Sequence, residues 1–94
     1  MTEIVEAIQT HIGTDAPSNW YVGITGNVRE RLFGAHQVDE ANGSWIYREA
    51  SSSQEARAIE RHFLDRVGTK GGPGGGDATT KTVYAYRITS ATAE

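Results

Sequence analysis

The sequence predicts a small α+β domain, and three observations carry that prediction. Helical and strand-like apolar periods alternate along the chain in the order α-β-α-β-α-β. The connections between strands and helices are short enough for one unit spanning residues 1–94. With 37% hydrophobic residues, a chain of 94 supplies one modest core. It has no Cys, so neither disulfides nor thiolate metal sites add stability.

Each element has its own signal. Ile4, Val5, Ile8 and Ile12 recur at helical spacing and Gly13 follows as a stop, predicting a helix over Glu3–Ile12 in an N-terminal segment 1–13. The turn-forming run Thr14–Asn19 leads into a predicted strand, Trp20–Ile24. Trp20, Val22 and Ile24 share one face of it, Tyr21 and Gly23 the other. Asn27 reads as a helix N-cap with Glu30 three residues on, and Val28, Leu32 and Ala35 stripe the short helix that follows. After a polar loop, Trp45–Arg48 is a second strand. Ser52 and Glu55 form an S-x-x-E box that opens the strongest helix. Its apolar stripe is Ala56, Ile59, Phe63 and Val67, Arg57, Arg61 and Asp65 lie opposite, and Gly68 closes it. Residues 68–81 are a glycine-rich loop that lacks the G-K-[ST] ending of a phosphate-binding P-loop. Thr82–Ile88 is a third strand, dense in β-branched and aromatic residues, and 89–94 is a small polar tail expected to fray.

The start Met1-Thr2-Glu3 lacks the basic n-region and apolar run of a signal peptide, and no stretch reaches bilayer length. The expectation is a soluble, cytoplasmic protein with no membrane association. The net charge of −3 argues against binding nucleic acid by bulk electrostatics. All nine Lys and Arg nevertheless fall between Arg29 and Arg87, so a local basic face fits inside the acidic average.

Glu60 is the most unusual position. At 3.6 residues per turn it falls between Ala56 and Phe63, on the core side of its helix. A carboxylate there is either paired with an Arg at the core edge or works in a cleft as a metal ligand or proton-transfer group. Arg31 sits at the edge of its own helix's stripe. It either snorkels into water or clamps a phosphate, and it can also pair with Glu60. Tyr21 lies beside Gly23, which lets a ligand or another backbone approach the strand. Tyr84 and Tyr86 share a face of the last strand, so one of them can stand next to Tyr21. Two phenols with an Arg and a Glu make a hydrolytic cluster: a phenol takes a proton from water, the Arg steadies phosphate charge, the Glu holds Mg²⁺. His11, His36 and His62 are not at metal-ligand spacing, and only His36 falls near this cluster.

The run Tyr21-Val22-Gly23-Ile24-Thr25-Gly26-Asn27-Val28 with Arg31 resembles the "YIG" strand, turn and arginine helix of GIY-YIG nucleases, with Arg ten residues after Tyr. His36 is a rough match to a His that often follows in that family. Glu55-Ala56-Arg57-Ala58-Ile59-Glu60 resembles the family's E-A-x-x-x-E helix, whose last Glu binds metal. The likeness covers about half the chain, from Asn19 to Val67. It implies a small three-stranded antiparallel sheet flanked by helices. It also implies an endonuclease that hydrolyses DNA phosphodiesters with one divalent cation, Mg²⁺ or Mn²⁺, on Glu60. Tyr21, Arg31, Glu60 and Tyr84 are then the catalytic candidates, and Arg57, Arg61, His36 and Lys70 the candidate substrate contacts. The chain departs from the pattern in two places. No GIY strand precedes Tyr21, and Gly and Pro replace an Asn expected beyond the glutamate helix. The expectation is therefore a rearranged fold, in which Thr82–Ile88 pairs with Trp20–Ile24 and Tyr84 or Tyr86 supplies the missing phenol. The alternative is an inactive relative kept as a nucleic-acid- or protein-binding module, with exposed aromatics such as Trp45 and Tyr47 available to a protein partner or a second copy.

Overall fold

In the computed structural model, which describes residues 2–71 and 80–93, three strands form one sheet. They are β1 (Trp20–Thr25), β2 (Trp45–Glu49) and β3 (Thr82–Arg87), in the spatial order β1-β3-β2 with both pairings antiparallel. The last strand of the sequence is thus the central one. Its composition suits that place: Val83, Tyr84, Ala85 and Tyr86 are all at most 1% exposed, a continuous buried run with no polar alternation. The expected pairing of the C-terminal strand with the Trp20 strand is present, in the register Tyr21↔Tyr86 and Gly23↔Tyr84.

The alternation of side chains divides the core in two. One face carries Trp20, Val22, Ile24, Val83 and Ala85. Against it pack Ile8 and Ile12 of α1 (Thr2–Ile12) and Ala56, Ile59 and Phe63 from α2 (Ser53–His62) and its π-wound continuation Phe63–Val67. Full burial of such a side chain contributes about 1.5–3 kcal/mol. The other face is aromatic. Tyr84 and Tyr86 are buried there with Leu32 and Val38, and Tyr21, Val28, Phe33 and Trp45 close over them.

Local signals set the ends of these helices. The Ser52 hydroxyl accepts the Glu55 N–H at 3.1 Å, a cap worth about 1 kcal/mol. The Glu55 carboxylate reaches one residue further back than a reciprocal box requires and accepts the Ser51 N–H at 2.9 Å. Gly68, at φ 96°, ends the α2 continuation in the left-handed conformation that glycine adopts without strain. The chain then runs along the outer edge of β1, where Lys70 donates to the Trp20 carbonyl and accepts from the Val22 N–H in a parallel bridge. The predicted loop 68–81 is therefore partly built into the sheet, and its portion 72–79 lies outside the described residues.

Two expectations need correction. Ala35, predicted on the apolar stripe of the arginine helix, is exposed. The segment Glu30–Ala35 is π-wound, closed by His36 N–H donating to the Arg31 carbonyl at 2.9 Å. The wider turn rotates Ala35 into solvent and brings Phe33 and His36 inward instead. The tail also does not simply fray through residue 93. Thr89 and Thr92 close a turn through each other's hydroxyl and backbone groups, and the Ala93 N–H donates to the His36 carbonyl at 2.7 Å.

The start of β1 and the end of β3 are tied together by Asp15. Its carboxylate accepts from Arg87 Nε at 2.8 Å, Trp20 Nε1 at 3.0 Å and Asn19 Nδ2 at 3.1 Å. The Arg87 hydrogen bond, followed by those of Asn19 and Trp20, holds the Asp15 carboxyl down at about 2. Among the described residues, no helix is long and apolar enough to cross a membrane.

Candidate functional site

The candidate site is built around a glycine. Gly23 faces Tyr84 across the β1–β3 pairing, and the Tyr84 ring lies over the space a side chain would fill. A Cβ at residue 23 would stand 2.5 Å from the Tyr84 hydroxyl and 2.6 Å from Cζ. The glycine that the sequence marked as permitting close approach thus admits a phenol from the next strand.

That phenol is held from two sides. His36 Nε2 lies 2.8 Å from the Tyr84 hydroxyl, and the Arg31 guanidinium is near enough to the same hydroxyl to favour its ionised form. Tyr21 completes the cluster, its ring stacked on Tyr86 at 5.2 Å and Tyr84 at 6.4 Å and tilted against His36 at 4.7 Å between centroids. Both C-terminal tyrosines therefore stand beside Tyr21. Tyr84 is the one that lies over Gly23 and meets Arg31.

Burial pushes the Tyr84 phenol up to about 12, opposed by the nearby Arg31 guanidinium and reinforced by Tyr21 and Glu60. The consequence for stability has a definite sign. Between the ordinary 10.0 and about 12, the folded chain keeps a proton that the unfolded chain has lost, so stability falls as pH rises through that window. In an absorbance titration of the four tyrosines, a late phenolate component near pH 12 is expected, and Tyr84→Phe should remove its amplitude. An unchanged late component in that variant would mean that Tyr84 is not its source.

Glu60 has the inward position its helical spacing predicted. It is 9% exposed, beside buried Ala56, Ile59 and Phe63. Desolvation raises its pKa, while the charges of Arg57 and Arg61 on the same helix pull it back. Among the described residues, no hydrogen bond or ion pair to the Glu60 carboxylate is found, and its charge is felt at Tyr84.

The other expected contacts are dispersed around this centre. Arg57 and Arg61 are exposed on α2. Lys70 is exposed on the strip pairing with Tyr21. His36 is only 5% exposed and belongs to the interior of the cluster: its Nδ1 lies 3.0 Å from the Tyr86 hydroxyl and 2.8 Å from the Ala93 carbonyl. Sequence reasoning missed Ala93 because a backbone carbonyl leaves no signal in residue type. Beside the site, Tyr47 pairs with Tyr84 across β2–β3 and is 42% exposed, its ring parallel to Trp45 at 6.2 Å.

The described residues contain no group of three or more His, Asp or Glu able to enclose a metal ion. Among the described residues Glu60 is the one buried carboxylate, a single hard ligand of the kind that suits a cation keeping most of its waters, as Mg²⁺ does. Compared with known proteins, the chain matches no protein-family model, no curated protein and no solved structure.

Proposed function

We propose that the chain is a GIY-YIG-like endonuclease, in rearranged form, that hydrolyses DNA phosphodiesters. The observation that carries this reading is the convergence on Tyr84: its hydroxyl is 2.8 Å from His36 Nε2, feels the nearby Arg31 and Glu60 charges, and lies over Gly23 beside Tyr21. β3 occupies the place beside β1 that the missing GIY strand would hold, and Tyr84 supplies the second phenol.

Each group has a task that its surroundings suit. A water on the open side of the cluster gives its proton to the Tyr84 oxygen as the phenol's own hydrogen passes to His36 Nε2, 2.8 Å away. A relay of this kind spares Tyr84 a free phenolate, which its burial disfavours. Arg31, exposed beyond its contact with Tyr84, offers a planar fork to the phosphate. Tyr21 packs against the other rings and restricts their motion. Glu60 would hold one Mg²⁺ or Mn²⁺, which supplies Lewis-acid polarisation of the phosphate when bound.

The test incubates the purified chain with linear and branched DNA in Mg²⁺ or Mn²⁺. EDTA-sensitive nicking is expected, reduced roughly 10²-fold or more in Arg31→Ala and in Tyr84→Phe. Metal-dependent nicking that survives both substitutions, or none from the unaltered chain, would overturn the proposal. A second reading, a binding module without cleavage, is favoured by exposed Tyr47, stacked on a half-buried Trp45, and by the net charge of −3. It expects salt-sensitive DNA binding, or capture of a protein partner, with no nicking.

A further inference from the structure

We infer that the C-terminal segment Thr89–Ala93 is a positioning element of the site, which fixes His36 as the Nδ1–H tautomer through the Ala93 backbone and thereby presents the Nε2 lone pair to Tyr84. The inference deepens the proposed nuclease reading, and its consequence for catalysis rests on that reading. The tautomer assignment itself does not.

The argument comes from which atoms can carry hydrogen. A backbone carbonyl has no proton to give, and the Ala93 oxygen lies 2.8 Å from His36 Nδ1. An unprotonated Nδ1 there would set two lone pairs against each other, so the proton sits on Nδ1. The Tyr86 hydroxyl, 3.0 Å from the same nitrogen, fits this arrangement: its oxygen accepts a share of the Nδ1–H while its own hydrogen goes to the Ala93 carbonyl at 3.4 Å. With Nδ1 protonated, the neutral ring carries its lone pair on Nε2, 2.8 Å from the Tyr84 hydroxyl. Tyr84 then donates to His36, and its oxygen lone pairs remain available toward the nearby Arg31 guanidinium. The opposite tautomer would put a hydrogen on Nε2 and, among the described residues, leave the Tyr84 proton without this acceptor.

The tail is shaped for this contact. The Ala93 N–H donates to the His36 carbonyl at 2.7 Å while its carbonyl accepts from the ring, so one residue holds both the backbone and the side chain of His36. The turn that delivers it is closed by Thr92 Oγ1 accepting the Thr89 N–H at 3.0 Å and by Thr89 Oγ1 accepting the Ala91 N–H at 3.1 Å. The upstream end is tied to the β1 side by the Ile88 N–H donating to the Asn19 carbonyl at 2.8 Å. A carbonyl that orients an imidazole in this way does the work a carboxylate does in a catalytic triad.

Long-range ¹H–¹⁵N spectra of the uniformly labelled full chain at neutral pH read the tautomer directly, with His36 assigned by its loss in His36→Gln. A pyrrole-like Nδ1 and a pyridine-like Nε2 are expected in the unaltered chain and in Tyr86→Phe, where the competing hydroxyl is gone. In Ala93→Pro, which removes the N–H half of the bracket, and in a chain ending at Ile88, the ring should move toward the Nε2–H form. Turnover of nicking should then fall with little change in KM. An Nε2–H or doubly protonated ring in the unaltered chain overturns the inference whatever the variants do. A tautomer that flips in Tyr86→Phe overturns it too, because Tyr86 would then be the group that sets the ring. Absence of nicking in the unaltered chain with the Nδ1–H tautomer present removes the nuclease reading and leaves the positioning contact standing.

Discussion

Glu60→Gln is expected to abolish metal-dependent nicking and at the same time to raise the stability of the folded chain near neutral pH. The two effects have one cause. Glu60 is 9% exposed on the inner side of α2, and desolvation lifts its pKa above the ordinary 4.5 despite the nearby charges of Arg57 and Arg61. Between pH 4.5 and that raised value, the folded chain binds more protons than the unfolded chain. Stability therefore declines as pH rises through the window, and at neutral pH the buried charge is a net cost. Glutamine keeps the shape and removes the charge. Its melting temperature should exceed that of the unaltered chain at pH 7, and the difference should close as pH falls below 4.5. The same substitution removes the one carboxylate buried among the described residues, whose charge is felt at Tyr84, so on the proposed reading a loss of roughly 10²-fold or more in nicking is expected. A destabilising site kept for its chemistry is a recurrent feature of enzymes. Thermal melts from pH 4 to 8 alongside nicking assays decide the matter. A variant less stable than the parent at pH 7 would mean that Glu60 is favourably paired, and would leave it no place in a metal site.

The second large effect is expected from the smallest substitution, Gly23→Ala. In a strand interior, replacing Gly by Ala ordinarily gains about 0.5–1 kcal/mol of backbone entropy. Here the new methyl would stand 2.5 Å from the Tyr84 hydroxyl and 3.0 Å from Cε1. The ring is 1% exposed and anchored by His36 at 2.8 Å, so it cannot swing aside and keep that bond. Overpacking of this kind costs about 1–3 kcal/mol, and each hydrogen bond lost adds about 0.5–1.5 kcal/mol. The cost outweighs the entropic gain. For a domain of this size each kcal/mol lowers the melting temperature by about 4–8 °C, so a drop on the order of 10 °C is expected. Truncating the ring makes the test specific. In a Tyr84→Ala background the alanine at residue 23 should be neutral or mildly stabilising, and the double-mutant cycle should return nearly the whole cost as coupling. A Gly23→Ala chain that melts with its parent would show that the phenol does not lie over the strand.

Both predictions rest on positions that were visible before any fold was known, and each shows how far that visibility extends. The inward turn of Glu60 followed from its spacing relative to Ala56 and Phe63, because a helix converts sequence separation directly into angle. The caps at Asn27 and Ser52 and the stop at Gly68 were legible for the same reason: their hydrogen bonds and dihedral angles involve near neighbours. Gly23 was marked as a place of close approach, but not as a seat for Tyr84. Ala35 was misplaced because a π-wound turn does not advance at 3.6 residues per turn, and residue types gave no sign of the change.

The sequence by itself determined which residues turn inward on α1, α2 and the strands, and the caps that bound them, since local periodicity and capping chemistry act over a few residues; the π-wound turn around Ala35 escaped it. Only the tertiary structure decided that the final strand is the central one, that Tyr84 fills the space left by Gly23, and that His36 is enclosed between two phenols and the Ala93 carbonyl. The contacts of Tyr84 with Gly23 and of His36 with its partners join residues 48 to 61 positions apart. They are selected by the shared burial of two faces of one sheet, a cooperative property that no single segment encodes.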